Sequence, residues 1–186
     1  LPERPVFLLI ARLWVTKGIR EFGAAAEFVR ASLPEARLVT VGPPDQGPDG
    51  IADEEIASWQ PKGIEYTGAL DDVRPAIDSA SIYVLPSYRE GTPRSVLEAM
   101  AMGRPIITTD APGCRQTVAH GQSGLLVPVG DVGGLAEAML TLGADIQLRN
   151  AMGQASLRRA QEIYAVEAVN ETLLAHLDLP PLPPAR

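Results

Sequence analysis

Short, almost continuously apolar runs recur along the chain, separated by longer stretches in which apolar residues follow helical spacing. The apolar runs lie at 6–11, 36–42, 63–68, 81–87, 105–110 and 124–129. Most of them are rich in β-branched residues and do not alternate with polar ones, which is typical of strands covered on both faces. The pattern therefore predicts a sheet of about six buried strands.

Helical spacing fills the intervals between the strands and continues after the last one. The predicted helices lie at 18–32, 52–59, 72–79, 93–102, 113–119, 131–142, 145–163 and 165–177. Asp71 or Asp72 can cap the third helix at its start, and Gly103 can end the fourth. Strict alternation of strand and helix predicts right-handed βαβ units and a doubly wound parallel sheet with helices on both faces.

The sequence thus predicts an α/β protein with a single Rossmann-like domain over residues 1–178. The last residues, 179–186, form a proline-rich tail. We expect the tail to fray or to adopt a polyproline II conformation, because proline cannot continue a helix. We find no internal repeat and no second domain in the sequence.

Composition narrows the functional classes. The chain of 186 residues is 46% hydrophobic and 21% charged, as expected of a soluble globular protein. Its net charge of -7 argues against a nucleic-acid-binding surface, which needs clustered Lys and Arg. The single cysteine, Cys114, excludes an intrachain disulfide and fits a reducing cytoplasm. No apolar run reaches the roughly 20 residues of a membrane span.

The first residues, Leu1-Pro2-Glu3, lack an initiating Met and resemble no signal peptide. We interpret the chain as a piece of a longer polypeptide.

In an open parallel sheet, ligands bind at the carboxyl ends of the strands, where loops lead into helices. The chemistry-bearing residues of this sequence fall in those loops, which are 12–17, 42–45, 68–71, 87–95, 110–114 and 130–131.

The segment from Glu90 to Pro93 predicts a turn that leads into a helix. Pro93 suits the first helical position and Thr92 suits the N-cap. The backbone N–H groups of Arg94 and Ser95 would then point out of the helix end, where the dipole favours an anion such as phosphate. Alternatively, the Thr92 hydroxyl satisfies one of these donors itself and no ligand is needed.

Two acidic and two basic side chains favour a bound ligand over the alternative without one. Glu90 precedes the helix and Glu98 lies within it, so each can accept hydrogen bonds from hydroxyl groups on either side of a bound anion. Arg12 and Lys17, in the loop after the first strand, can offset the charge of a diphosphate. A sugar joined by a diphosphate to a nucleoside has this arrangement of hydroxyls and phosphates.

Four segments resemble the C-terminal half of retaining glycosyltransferases of the GT-B fold, and more narrowly glycosyltransferase family 4 (group 1). These segments are "ARLWVTKG" (11–18), "LVTVG" (38–42), "YVLPSYREGTPRSVLEAMAMGRPIITTDAPG" (83–113) and "GQSGLLVPVGDVGGLAEAM" (121–139). The resemblance covers residues 5 to 175, and its ordered motifs are more specific than the E-x7-E spacing of Glu90 and Glu98 alone.

The resemblance implies roles for individual residues. Arg12 and Lys17 would bind the donor diphosphate and act in catalysis together with Glu90, which would bind hydroxyls of the donor sugar. Glu98 would bind the ribose hydroxyls. The turn at 91–93 and the N–H groups of Arg94 and Ser95 would hold phosphate, Gly42 would lie beside the nucleoside, and the loop 68–70 would help to hold the base.

One departure concerns the turn. Many family members have Phe-Gly where this chain has Thr92-Pro93, and Pro93 has no N–H to donate. The preference for a donor sugar could differ accordingly.

The resemblance also implies the wider context. The donor would be a nucleotide-sugar, with a UDP-sugar as the first candidate, and no cofactor or metal would be needed. An acceptor-binding N-terminal domain of the same polypeptide and a lipid-linked or saccharide acceptor would complete the reaction. The sequence of residues 89–114 most resembles bacterial enzymes of surface polysaccharide or glycolipid biosynthesis. This resemblance implies a cytoplasmic protein with peripheral contact at the inner face of the membrane.

Two other functions remain open from the sequence: a sugar-nucleotide epimerase of the same fold, and a non-catalytic nucleotide-binding module. A nicotinamide dehydrogenase is disfavoured, because the loop after the first strand lacks Gly-x-Gly-x-x-Gly. His120, His176 and Cys114 show no metal-ligand or triad spacing.

Overall fold

The computed structural model describes residues 1–177 and contains one sheet of six parallel strands. The strands are β1 (Val6–Ile10), β2 (Arg37–Val41), β3 (Ile64–Tyr66), β4 (Ile82–Leu85), β5 (Ile106–Thr109) and β6 (Gly124–Val127). Their order across the sheet is β3-β2-β1-β4-β5-β6. The predicted α/β fold with a doubly wound parallel sheet is confirmed, and each strand is somewhat shorter than its apolar run.

The central strands are apolar because they separate two cores. In β1, Phe7 and Leu9 belong to one core, whereas Val6 and Leu8 belong to the other. β1 pairs along its whole length with β2, from Val6 opposite Arg37 to Ile10 opposite Val41. Burial on both faces explains why the strand shows no polar alternation.

Seven α-helices flank the sheet in residues 1–177. They are α1 (Ile19–Ser32), α2 (Asp53–Ala57), α3 (Arg74–Ser79), α4 (Arg94–Ala101), α5 (Val132–Ala144), α6 (Ile146–Arg159) and α7 (Val166–His176). Helices α1 and α5 contribute apolar side chains to one core, and α3 and α4 contribute to the other. The first turn of α4 lies near the carboxyl end of β4, where the predicted ligand loop begins.

Helix ends agree with the sequence in part. Gly103 has a left-handed φ of 71°, directly after the C-cap Met102, as predicted for the end of α4. The N-cap predicted for α3, Asp71 or Asp72, is wrong, because the N-cap residue is Val73. Asp72 nevertheless accepts a hydrogen bond from the backbone N–H of Arg74 at 3.0 Å.

The helix predicted over 113–119 is wrong, since these residues form a succession of turns. Gly113 has φ 81°, a left-handed conformation that no right-handed helix can contain. Its N–H group donates to the side chain of Gln116. A Cβ at this glycine would collide with the backbone of Glu90 and Gly91, so tertiary packing, which the sequence pattern does not report, sets the local conformation.

The helix predicted over 145–163 ends earlier as an α-helix. Ala160–Tyr164 forms a π-helical segment, and α7 follows after Ala165. The proline-rich tail 179–186 lies outside the described residues, so its predicted conformation is not tested. Within residues 1–177, no helix is both long enough and apolar enough to cross a membrane.

Candidate functional site

A concave surface lies where the strand order reverses, between β1 and β4. It is an open cleft of about 660 Å³ at the carboxyl ends of the strands, which is the place where doubly wound sheets bind ligands. Its lining combines the loops after β1, β2, β3 and β4 with the start of α4. The sheet topology therefore brings together segments that are far apart in the sequence.

The cleft gathers nine of the ten predicted site residues. These are Arg12, Lys17, Gly42, Glu90, Thr92, Pro93, Arg94, Ser95 and Glu98. Gly91 is exposed in the turn and does not line the cleft. Ala69 and Leu70, from the loop predicted to hold the base, also line it. The individual roles of these residues stay predictions.

The start of α4 differs from the prediction. Pro93 is the N-cap, with the extended values φ -71° and ψ 106°, and no side chain caps the helix. The predicted cap by Thr92 is wrong, because the helix begins one residue later, at Arg94. The alternative in which the Thr92 hydroxyl satisfies the helix donors is therefore wrong as well. The N-terminal end of α4 faces the cleft without a side-chain cap, as an anion site requires.

A buried hydrogen-bond cluster fixes that helix end. The Tyr83 hydroxyl lies 2.6 Å from the Ser95 hydroxyl and 3.0 Å from the carbonyl oxygen of Ile10. Ser95 itself donates to Ile10 at 3.1 Å. Burial raises the pKa of Tyr83, so the phenol stays neutral. The cluster joins β4, the first turn of α4 and the end of β1. Sequence reasoning missed it, since Tyr83 appears only as one more apolar strand residue.

Lys17 and Glu90 form an ion pair inside the cleft. The Lys17 Nζ donates to Glu90 Oε1 at 2.7 Å, and both side chains are largely buried. Their backbones are held together, because the carbonyl oxygen of Thr16 accepts hydrogen bonds from the N–H of Tyr88 and from the Ser87 hydroxyl. The structure therefore places both residues in one cleft and adds a contact that the spacing did not predict.

Arg12 has a different acid beside it. Its guanidinium lies 3.6 Å from a carboxylate oxygen of Asp45 and 4.6 Å from the ring centroid of Trp14, as a cation–π contact. Trp14 forms an isolated antiparallel bridge with Gly50. The loop after β2 is thus docked against the loop after β1. Sequence reasoning placed Asp45 at the ligand edge but assigned it no partner.

Gly42 allows β1 and β2 to end close together. A Cβ at this position would collide with the carbonyl oxygen of Ala11. The Gly42 N–H donates to Gly68 at 2.9 Å, and its carbonyl oxygen accepts a hydrogen bond from the Tyr66 hydroxyl at 2.9 Å. A glycine at the end of β2 is therefore required by backbone approach, whatever ligand lies beside it.

The residues that sequence reasoning left aside have structural roles. Cys114 is fully buried, and burial raises the pKa of its thiol. His120 accepts a hydrogen bond from the backbone N–H of Leu126 at 2.9 Å. Among residues 1–177 there is no group of three or more His, Cys, Asp or Glu side chains placed to hold a metal ion.

Residues 4–145 match the family described as glycosyl transferases group 1. The chain belongs to this family. It is 34% identical over 149 residues to the N,N'-diacetylbacillosaminyl-diphospho-undecaprenol alpha-1,3-N-acetylgalactosaminyltransferase of Campylobacter jejuni. That alignment covers 80% of this chain and 38% of the relative.

Solved structures share the fold. A sucrose-phosphate synthase from Thermosynechococcus elongatus superimposes with a TM-score of 0.81 and 29% identity, covering 95% of this chain and 46% of that one. The C-terminal domain of a glycosyl transferase group 1 family protein from Francisella tularensis gives a TM-score of 0.77 at 23% identity, with 89% of each chain covered. The chain thus spans less than half of the length of the first two proteins and nearly all of an isolated C-terminal domain.

Proposed function

We propose that the chain is the donor-binding half of a retaining glycosyltransferase that uses a nucleotide-diphosphate sugar. One observation carries the proposal: the uncapped N-terminal end of α4 faces the same cleft as Lys17, Arg12, Glu90 and Glu98. The N–H donors of a helix start and two cationic side chains can bind a diphosphate, and the two carboxylates can accept hydrogen bonds from hydroxyl groups. Membership of the glycosyl transferases group 1 family supports this assignment over an epimerase or a pure binding module.

The proposed reaction breaks the bond between the anomeric carbon of the sugar and the diphosphate. Negative charge then grows on the leaving diphosphate, while the sugar passes through an oxocarbenium-like transition state. Arg12, Lys17 and the α4 backbone would stabilise that leaving charge, since groups fixed before the reaction need no reorganisation. The acceptor hydroxyl would attack on the same face, which retains the anomeric configuration.

The two acids would hold the donor on either side of the diphosphate. Glu98 would accept hydrogen bonds from the ribose hydroxyls, and Glu90 would orient the donor sugar. We do not assign Glu90 as a covalent nucleophile. Gly42, together with the loop at 68–70, would leave room for the nucleoside, and we propose UDP as the first nucleotide to test.

The acceptor would be lipid-linked or a saccharide, bound by an N-terminal domain of the same polypeptide. The Campylobacter jejuni relative is named for a diphospho-undecaprenol acceptor, which supports a role in bacterial surface polysaccharide or glycolipid biosynthesis. Such an acceptor would place the reaction at the cytoplasmic face of the membrane. We expect little sugar transfer from these 186 residues alone.

The diphosphate site can be tested by calorimetric titration with UDP, GDP and several UDP-sugars. We expect saturable binding of one nucleotide. Arg12→Ala/Lys17→Ala should weaken it by roughly 100-fold, because two charge-assisted hydrogen bonds contribute about 3 kcal/mol together. The control is Arg37→Ala/Lys62→Ala, which removes the same two residue types from exposed ion pairs outside the cleft. Equal affinity in both double variants would contradict the proposed site.

The reaction class needs the longer enzyme with its acceptor. Mass spectrometry of the products should show the sugar attached to the acceptor, with Glu90→Ala reducing turnover without weakening nucleotide binding. A donor sugar that is isomerised and never transferred would instead identify an epimerase.

A further inference from the structure

We propose that the two cations of the site carry their own counterions, and that the donor diphosphate binds by displacing them. Glu90 neutralises Lys17 and Asp45 neutralises Arg12 until the diphosphate takes both cations. Displacement frees Glu90 to accept hydrogen bonds from the donor sugar. This inference rests on the proposed function and adds the order in which the groups of the site become available.

The Lys17–Glu90 pair is built into the fold. The atoms are 2.7 Å apart, and the side chains are only 21% and 13% exposed. The N–H of Glu90 donates to the carbonyl oxygen of Pro112 at 3.1 Å, so its backbone is fixed independently of Lys17. A pair held from both sides persists better than a surface contact between two flexible side chains.

The Arg12–Asp45 pair is looser and serves to position Arg12. Its atoms are 3.6 Å apart, and the Arg12 side chain is 52% exposed. Asp45 is held in turn by the N–H of Gly47, which donates to it at 2.8 Å. We interpret Asp45 as a positioning residue that keeps the Arg12 guanidinium over Trp14 and beside the cleft. Because the pair is loose, little free energy is lost when a phosphate takes the place of Asp45.

When Lys17 leaves Glu90 for the diphosphate, the binding free energy comes to depend on whether a sugar is attached to that diphosphate. A diphosphate offers Lys17 more negative charge than one carboxylate does, so the ammonium group changes partner. Glu90 then remains partly buried next to an anion, which is unfavourable unless it gains new donors. The hydroxyls of an attached sugar are such donors, whereas UDP alone has only its ribose hydroxyls, which we assign to Glu98. Glu90 therefore disfavours free UDP relative to the UDP-sugar.

The test is calorimetric titration of the chain with UDP, comparing wild type with Glu90→Gln. The amide keeps the shape but removes the charge that holds Lys17. We expect UDP to bind roughly three- to tenfold more tightly to Glu90→Gln, because the nucleotide no longer has to break the ion pair. With Lys17→Ala as the parent, the same Glu90→Gln change should give a clearly smaller gain, since no ion pair is left to break and only the repulsion between Glu90 and the diphosphate is relieved.

Glu65→Gln is the matched control. It makes the same change of net charge and breaks the ion pair with Arg37 at the opposite end of the strands. We expect it to change UDP affinity less than twofold.

The outcomes separate the two proposals. If wild type binds UDP and Glu90→Gln binds it no more tightly, or if the gain is equally large without Lys17, the exchange is wrong and the diphosphate site stands. If neither wild type nor Glu90→Gln binds UDP, the exchange and the proposed UDP site both fail.

Discussion

Gly18 shows how one residue controls the position of the site. It follows the 3-10 turn Val15–Lys17 and adopts φ 72° before α1 begins. A Cβ there would collide with the carbonyl oxygen of Pro86, in the segment that follows β4. The close approach keeps the loop carrying Lys17 against the loop carrying Glu90.

We expect Gly18→Ala to lower the free energy of unfolding by about 3 kcal/mol. A left-handed alanine costs about 1–2 kcal/mol, and the collision with backbone adds to it. Gly121→Ala is the control, since Gly121 has φ 75° and nothing within 4 Å of an added Cβ. It should cost only about 1 kcal/mol. Chemical denaturation measures both, and equal losses would contradict the packing argument.

At the scale of the helix, α4 and α5 begin in different ways. α5 starts with Asp131, whose carboxylate accepts a hydrogen bond from the N–H of Gly134 at 2.9 Å. α4 starts with Pro93 and has no side-chain cap. A capped end serves stability, whereas an uncapped end that faces a cleft leaves its donors available to a ligand.

This contrast predicts unequal effects of two substitutions. Asp131→Ala should destabilise the protein by about 1 kcal/mol, as expected for loss of an N-cap. Thr92→Ala should change stability by less than about 0.5 kcal/mol, because the Thr92 hydroxyl caps nothing. Thermal or chemical denaturation of both variants without ligand decides the matter. A loss of about 1 kcal/mol in Thr92→Ala would restore the cap that the sequence predicted.

At the scale of the whole molecule, Arg149 joins parts of the chain that the sequence separates widely. Its guanidinium is buried and donates to the carbonyl oxygens of Leu142 and Gly143 at the end of α5, and of Glu3 in the N-terminal segment. Burial lowers the pKa of Arg149, while the carboxylate of Asp145 opposes that effect. The side chain secures α5 and α6 to the N-terminal segment that leads into β1, at the end of the strands opposite the cleft.

Arg149→Ala should therefore lower the free energy of unfolding by about 3 kcal/mol or more. The variant loses several charge-assisted hydrogen bonds and leaves buried carbonyl groups without a donor. Arg158→Ala, at an exposed position of the same helix, is the control and should change stability by less than about 0.5 kcal/mol. Similar denaturation midpoints for the two variants would contradict this role.

The fold was largely predictable because its signals are local. A continuous apolar run such as Val6–Ile10 indicates a strand buried on both faces without reference to any other part of the chain. The failed helix over 113–119 shows the limit, since Gly113 packs against a backbone more than 20 residues away in the sequence.

The candidate site was predictable in its residues but not in their contacts. Strand ends and helix starts pointed to Arg12, Lys17, Glu90 and Glu98, and all four line one cleft. The pairing of Lys17 with Glu90, which are 73 residues apart, carries no sequence signal. Nor does the hydrogen bond between Tyr83 and Ser95, because a buried tyrosine in a strand looks like any other core residue.

By itself, the sequence determined the class of fold, the six strands and most of the helices in their order, and the loops that could hold a ligand. These follow from apolar periodicity and from glycine and proline positions, which act over a few residues. Only the tertiary structure decided which acid neutralises which base, and that α4 begins without a side-chain cap. Those features depend on distances between segments that the sheet brings together, and local sequence does not encode such distances.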